Sequence, residues 1–249
     1  MRQFARWWLI LLICWPLSLL GAAPVTINAV TDHWPKYSNL DGTGYYIDLL
    51  RHVFPEPDYQ LELDIVPFSR ALFLVNQQRV DVGLGFYRGD VDPSYYSEIP
   101  VEVDRVDAAV TPELAAVWKD ITSLKQKKVQ AMLAYRFDSF ISVPMYYEES
   151  SELLLMLNHV NDGKIDALLD YKRSMISLAS HLDNPRQYVI IENVLNPAVY
   201  FVFPQTEKGK RLKVRFDKQM QQLIKSGDIE QIFKRYISDR ERVAKARSD

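Results

Sequence analysis

The sequence predicts an α/β protein folded as two lobes, on three observations. Short, alternating, β-branched segments recur between segments with helical spacing. Pro and Gly punctuate the boundaries. Once an N-terminal leader is set aside, about 225 residues remain, enough for one large domain or two small ones, each with its own core.

The leader comes first in the chain. Met1-Arg2-Gln3-Phe4-Ala5-Arg6 is followed by an apolar run over residues 7–20 and then by Gly21-Ala22-Ala23-Pro24. A basic start, a greasy middle and small residues at the end are the pattern of a cleavable export signal, residues 1–22. As a helix the run would span about 21 Å, short of a hydrocarbon core of about 30 Å. Cleavage is expected after Ala22. Cys14 is the only cysteine and lies inside the apolar run behind Ile13, where a lipoprotein signal would have a small residue. The exported chain then contains neither a disulfide nor a thiolate metal site. Losing Arg2 and Arg6 from the 30 basic residues leaves 28 against 32 acidic, a net charge of −4. That balance argues against nucleic acid or an anionic membrane as partner.

The remaining elements follow in order. Residues 25–30 alternate as a strand, and 32–44 are rich in turn formers. Residues 45–54 have helical spacing until Pro55 and Pro57 end it. Residues 61–66 form a second strand. Pro67 opens a helix reaching about 78, and 80–84 is a third strand. Residues 101–110 are extended, and 112–123 read as a crossing segment. A second series has strands at 128–132, 144–147, 165–169 and 188–191, with helices at 138–141, 151–160 and 172–181. The chain crosses back over 197–203, enters a long helix at 207–225 and ends in a helix at 229–237. The final dozen residues are charged.

Four stretches, in order, resemble the family-3 solute-binding proteins, the bilobal periplasmic receptors of ABC importers. Gly44-Tyr45-Tyr46-Ile47-Asp48-Leu49-Leu50 is similar to the family's G-x-x-x-D-L-L. Pro67-Phe68-Ser69-Arg70-Ala71-Leu72, followed by Val80-Asp81-Val82-Gly83, is similar to P-W-x-R-A-L and its V-D-A strand. Leu124-Lys125-Gln126-Lys127-Lys128-Val129 resembles the L-K-G-K-K-V that begins the second lobe. Asn161-Asp162-Gly163-Lys164-Ile165-Asp166-Ala167 resembles G-R-V-D-A, and Ser226-Gly227-Asp228 breaks the chain before its last helix. The resemblance implies the type II periplasmic-binding fold, each lobe a mainly parallel sheet flanked by helices and joined by two crossing strands. Lobe 1 would comprise 24–110 plus 199–249 and lobe 2 residues 111–198, with hinges near 109–112 and 198–200.

Loops leaving the C-terminal ends of parallel strands face the ligand crevice. Trp34 and Tyr37 follow the first strand, where they form either a flat ligand wall or core packing. Arg70 lies in a helix's first turn, where the macrodipole disfavours a cation; it serves a ligand anion, an acidic partner or the solvated surface. Phe86, Tyr87 and Arg88 follow the third strand. Amino-acid binders of the family carry a T-x-x-R arginine downstream, but Asp92-Pro93-Ser94-Tyr95 stands there. Arg88 either substitutes for it or pairs with Asp90 or Asp92. Tyr135 and Arg136 follow the first strand of the second lobe. Asp170 stands near the family's ammonium-binding aspartate, one residue short in spacing, with Tyr171 at the equivalent place. Three arginines against one aspartate favour a carboxylate-bearing solute.

The four histidines show no metal-ligand spacing, and no nucleophile elbow or phosphate loop is present. The sequence therefore describes a monomeric, cofactor-free receptor that binds a small solute in the Gram-negative periplasm and does not catalyse. Its partner is an inner-membrane ABC permease. The alternatives are a membrane sensor or chemoreceptor as partner, or a dehydratase-like enzyme using His33. Intact-mass analysis of the exported protein is expected to give a chain beginning at Ala23; a mass that includes residues 1–22 would overturn the signal assignment.

Overall fold

The structure is a computed structural model that describes residues 23–237; the export signal expected at residues 1–22 and the charged final dozen residues lie outside the described part. Strand β1 (Val25–Thr31) leads through a turn to α1 (Tyr45–Val53), β2 (Tyr59–Ile65), α2 (Phe68–Asn76) and β3 (Val82–Tyr87). Strands β4 (Ser94–Tyr96), β5 (Glu102–Val103) and β6 (Val106–Val110) follow, then α3 (Pro112–Val117) and a 3₁₀ turn at Ile121–Leu124. Next come β7 (Lys128–Met132), a 3₁₀ turn at Phe137–Phe140, β8 (Tyr146–Ser150), α4 (Leu153–Asn161), β9 (Ala167–Asp170), α5 (Lys172–Leu178) and β10 (Val189–Leu195). Strand β11 (Ala198–Pro204), α6 (Glu207–Ser226) and α7 (Asp228–Tyr236) complete the chain.

The strands form two sheets. The first has the order β2-β1-β3-β11-β4, with β5 also paired to β11; the second has the order β10-β6-β9-β7-β8. Strand β1 is parallel to both β2 and β3, and β7 to both β8 and β9, as crossover helices require. Antiparallel pairs arise where β6 and β11 enter from the opposite sheet. Strand β6, which the sequence reading places at the end of the first lobe, is hydrogen-bonded within the second sheet. The chain therefore changes sheet at Asp104–Arg105 and again at Asn196–Pro197, upstream of the hinge positions expected from sequence. Residues 112–123 are not a crossing segment: Pro112 sits in the first turn of α3, and Thr111 caps it by accepting from Leu114 N.

The longest helix shows how sequence sets an element. Thr206 accepts from Gly209 N at 2.9 Å and starts α6. At 20 residues it is about 30 Å long, and its apolar positions Leu212, Phe216 and Met220 recur every four residues and are buried. Gly227, at φ 79°, adopts the left-handed conformation that ends α6 and turns the chain into α7. Phe216 packs on Phe201 and Phe203 of β11 at ring separations of 5.1 and 5.7 Å. A separate core holds the second sheet against α4 and α5 through Met156, Leu157, Val160, Leu168 and Met175. Phe216→Ala is expected to cost about 3–5 kcal/mol, measured as a lower urea midpoint with unchanged slope.

Candidate functional site

The turn after β1 is built to hold one ring in place. Asp32 accepts from His33 N at 2.6 Å and from Phe68 N at 3.0 Å, tying the turn to the start of α2. Tyr37 N and Ser38 N both donate to the Trp34 carbonyl, and the buried Ser38 hydroxyl donates to the Asp32 carbonyl at 2.6 Å. The Trp34 indole is thereby laid over Gly85. A Cβ at Gly85 would come within 2.3 Å of the indole, and the residue's φ of +84° also demands glycine. Gly85 is the extra residue of a β-bulge, because Leu84 pairs with Phe201 and Phe86 with Tyr200.

From this position Trp34 reaches the other lobe. Its Nε1 donates to the Tyr135 hydroxyl, 3.1 Å away, in the loop after β7. Phe68 of α2 packs against both rings, at 5.6 Å from Trp34 and 5.8 Å from Tyr135. Tyr46 stands edge-on to Trp34 at 6.3 Å. These separations and tilts are those aromatic pairs prefer.

A second bridge lies at the crossing. Asp104 N donates to the Pro197 carbonyl at 2.9 Å, so the two passages between the sheets run side by side. The Asp104 carboxylate accepts from Tyr87 at 2.5 Å and from Tyr171 at 2.8 Å. Tyr87 ends β3 in the first sheet, and Tyr171 follows β9 in the second. Burial, then the charge of Asp104, pushes both hydroxyls well above the usual phenol range.

Between the lobes is a cavity of about 990 Å³. One wall is aromatic: Trp34, Tyr37, Tyr46, Phe68, Tyr87, Tyr135 and Tyr171. The crossing contributes Glu102, Asp104 and Arg105, and the start of α5 contributes Lys172 and Arg173. Lys172 pairs with Glu192 at 2.5 Å. Asp107 accepts from Lys172 N and Asn193 N, bracing α5 against β10. Such a site can stack a flat or alkyl group and satisfy charge of either sign.

Of the residues singled out from sequence, the cavity gathers Trp34, Tyr37, Tyr87 and Tyr135. The other five stand elsewhere. Strand β3 continues to Tyr87 instead of stopping at Leu84, and Phe86 is buried behind the wall against Phe68. Arg70 is exposed, its guanidinium 5.2 Å from the Phe73 ring. Arg88 stacks on Tyr200 at 4.4 Å and donates to the Ser97 carbonyl; it pairs with neither Asp90 nor Asp92. Arg136 is exposed in a left-handed conformation, φ 50°, with its N–H on Glu149. Asp170 is buried, and its carboxylate accepts from Tyr171 N at 2.6 Å. The one-residue shift in spacing was the available signal: it turns Tyr171, not Asp170, into the cavity. Asp104, Arg105, Tyr46 and Phe68 were missed because 101–110 read as one unbroken extended segment and the two rings lie at the starts of helices, not in the loops after strands.

Neither a protein-family model nor a curated protein matches the chain. Solved structures do. The GluR0 ligand-binding core in complex with L-glutamate shares 14% identity over 88% of this chain and 100% of its own, with a TM-score of 0.65. A structure from work on glutathione import via GshT and the cystine importer TcyBC of Streptococcus mutans shares 19% identity, covering 86% and 95%, TM-score 0.63. An ancestral arginine-binding protein bound to arginine shares 15%, covering 86% and 98%, TM-score 0.61. These likenesses establish the fold: the chain has the two-lobed fold of the periplasmic solute-binding proteins, as its sequence motifs implied.

Two buried carboxyls give the fold a pH dependence. Burial raises Asp90 and Asp170 each to about 7. Unfolded, they ionise near pH ~4. Their contribution to folded stability therefore falls as pH rises from about 4 to about 7 and is level above. Asp170→Asn keeps an acceptor for Tyr171 N and is expected to raise Tm at pH 8, converging with the parent at pH 4; equal Tm shifts at both pH values would contradict this.

Proposed function

We propose that this chain is a periplasmic solute-binding protein that captures a small, polar, carboxylate-bearing solute between its lobes and delivers it to an inner-membrane ABC importer. It acts as a monomer after removal of residues 1–22 and performs no chemistry on the solute. The observation that carries this reading is the cavity itself, lined from both sheets and from the crossing. In this reading the lobes follow the sheets, and rotation at Asp104–Arg105 and Asn196–Pro197 opens and closes the cleft. Structures of the same fold are described as bound to arginine, glutamine, L-glutamate and histidine, which supports a solute of amino-acid type. Among the described residues no helix is long and apolar enough to cross a membrane.

The carboxylate is assigned to Arg105 rather than to the arginines singled out from sequence. Arg105 lines the cavity at the crossing, with Nη2 buried, and a guanidinium fork matches a carboxylate in a bidentate pair. Isothermal titration with amino acids and small dicarboxylates is the test. A carboxylate-bearing solute is expected to bind, and Arg105→Ala to weaken it by roughly 10- to 100-fold with Tm unchanged within a few degrees. Binding confined to compounds without a carboxylate would refute the assignment.

A further inference from the structure

The loop after β7 carries Tyr135 to the cavity in a conformation that its own sequence does not favour. Ala134 and Arg136, on either side of Tyr135, have φ of 73° and 50°, the left-handed region that residues with a Cβ enter at a cost. Every backbone N–H from 133 to 137 is nevertheless engaged within the second lobe. Leu133 N donates to the Ser150 carbonyl and Tyr135 N to the Met132 carbonyl. Ala134 N donates to Glu149 Oε2 at 2.8 Å and Arg136 N to Glu149 Oε1 at 2.7 Å. Phe137 N donates to the Tyr147 hydroxyl, which itself donates to Glu149 Oε1 at 3.0 Å. Tyr147 and Glu149 stand two apart on β8 and share a face; the parallel register sets Glu149 beside Ala131, at the end of β7 where this loop begins. Backbone N–H groups converging in such a turn form a small anion seat, and here the chain's own Glu149 fills it.

We infer that Glu149 is a positioning residue for the contact between the lobes: its carboxylate holds the turn at 134–136 in its left-handed form and so presents the Tyr135 hydroxyl to Trp34. Glu149 lies outside the cavity lining and acts through Tyr135, whose ring lines the cavity and whose hydroxyl accepts from Trp34 Nε1 at 3.1 Å. Bonds from backbone N–H to a carboxylate are of the stronger, charge-assisted kind, which suits a group that must hold an unfavourable turn. With these donors engaged inside the lobe, a solute meets a ring and a hydroxyl at this loop, and an anion finds its backbone seat already taken. The inference rests on the solute-binding reading only for what the contact serves, the closing of the cleft over a solute; the contact itself is present, and is tested, without one.

Exchange of the Trp34 indole proton with water, followed by NMR on isotope-labelled protein, reads the contact directly, with Trp118→Phe assigning the resonance. Tyr135→Phe removes the acceptor and is expected to speed exchange about tenfold. Glu149→Ala is expected to do the same, and to add nothing in a Tyr135→Phe background, since the two changes act on one contact. Formate, a free carboxylate small enough for the vacated seat, should restore slow exchange in Glu149→Ala at matched ionic strength and leave the parent unchanged, whereas neutral formamide should not restore it. Unchanged exchange in Glu149→Ala would overturn the inference. So would an effect of the same size with and without the Tyr135 hydroxyl, or formate and formamide acting alike. Where Glu149→Ala does not fold, Glu149→Gln, which keeps the volume and one accepting oxygen, replaces it in both backgrounds and is judged by the same comparison. None of these measurements contains a candidate solute, so the receptor reading stands or falls separately, on titration with amino acids and small dicarboxylates.

Discussion

The cleft exists because the chain passes between its two sheets twice, side by side, and the passages are hydrogen-bonded to one another where Asp104 N meets the Pro197 carbonyl. Each passage delivers a strand antiparallel to its new neighbours, β6 into the second sheet and β11 into the first. The two sheets are therefore held by backbone at one point and by side chains elsewhere. At that point the Asp104 carboxylate draws one tyrosine from each lobe toward itself. Farther into the cleft the Trp34–Tyr135 side-chain hydrogen bond spans the gap. The cavity lies between these two kinds of connection.

The single cysteine, Cys14, lies outside the described residues, and these are braced by another device. Aspartates at strand ends and within α6 accept from backbone N–H groups of distant elements: Asp32 from Phe68, Asp81 from Asn28, Asp107 from Lys172 and Asn193, Asp217 from Glu98. Each satisfies a backbone donor that would otherwise be costly to bury and closes a chain loop as it does so. The cost is desolvation of the carboxylate, visible in the raised values of Asp32 and Asp107. Where the aspartate also meets a lysine, as Asp81 meets Lys208 at 2.7 Å, the charge is partly compensated.

Much of the architecture was legible in sequence because it depends on local periodicity. The strand at 25–30 and the helices at 45–54 and 207–225 lie within a residue or two of their observed bounds. Part of the cleft's aromatic wall, Trp34, Tyr37, Tyr87 and Tyr135, was legible for a topological reason, since the ends of parallel strands open onto the crevice. The arginines were not. Arg88 is claimed by Tyr200, more than a hundred residues away in sequence, and Arg136 is exposed, with a left-handed backbone. Long, flexible cations settle on whatever aromatic face or carbonyl the fold brings near, and no local pattern announces that. Asp104 and Tyr171 form the reverse case: ordinary residues individually, they acquire a role only when the crossing places them together.

The indole over Gly85 has an optical consequence. Of the five tryptophans, three lie within residues 1–22, so Trp34 and Trp118 are the two among the described residues. One of these two indoles therefore sits between the lobes, one hydrogen bond from the opposite wall. Any rotation that parts Trp34 from Tyr135 exchanges a phenol for water beside the indole nitrogen. The emission spectrum of the unlabelled protein thus carries a signal for whether its lobes are together or apart.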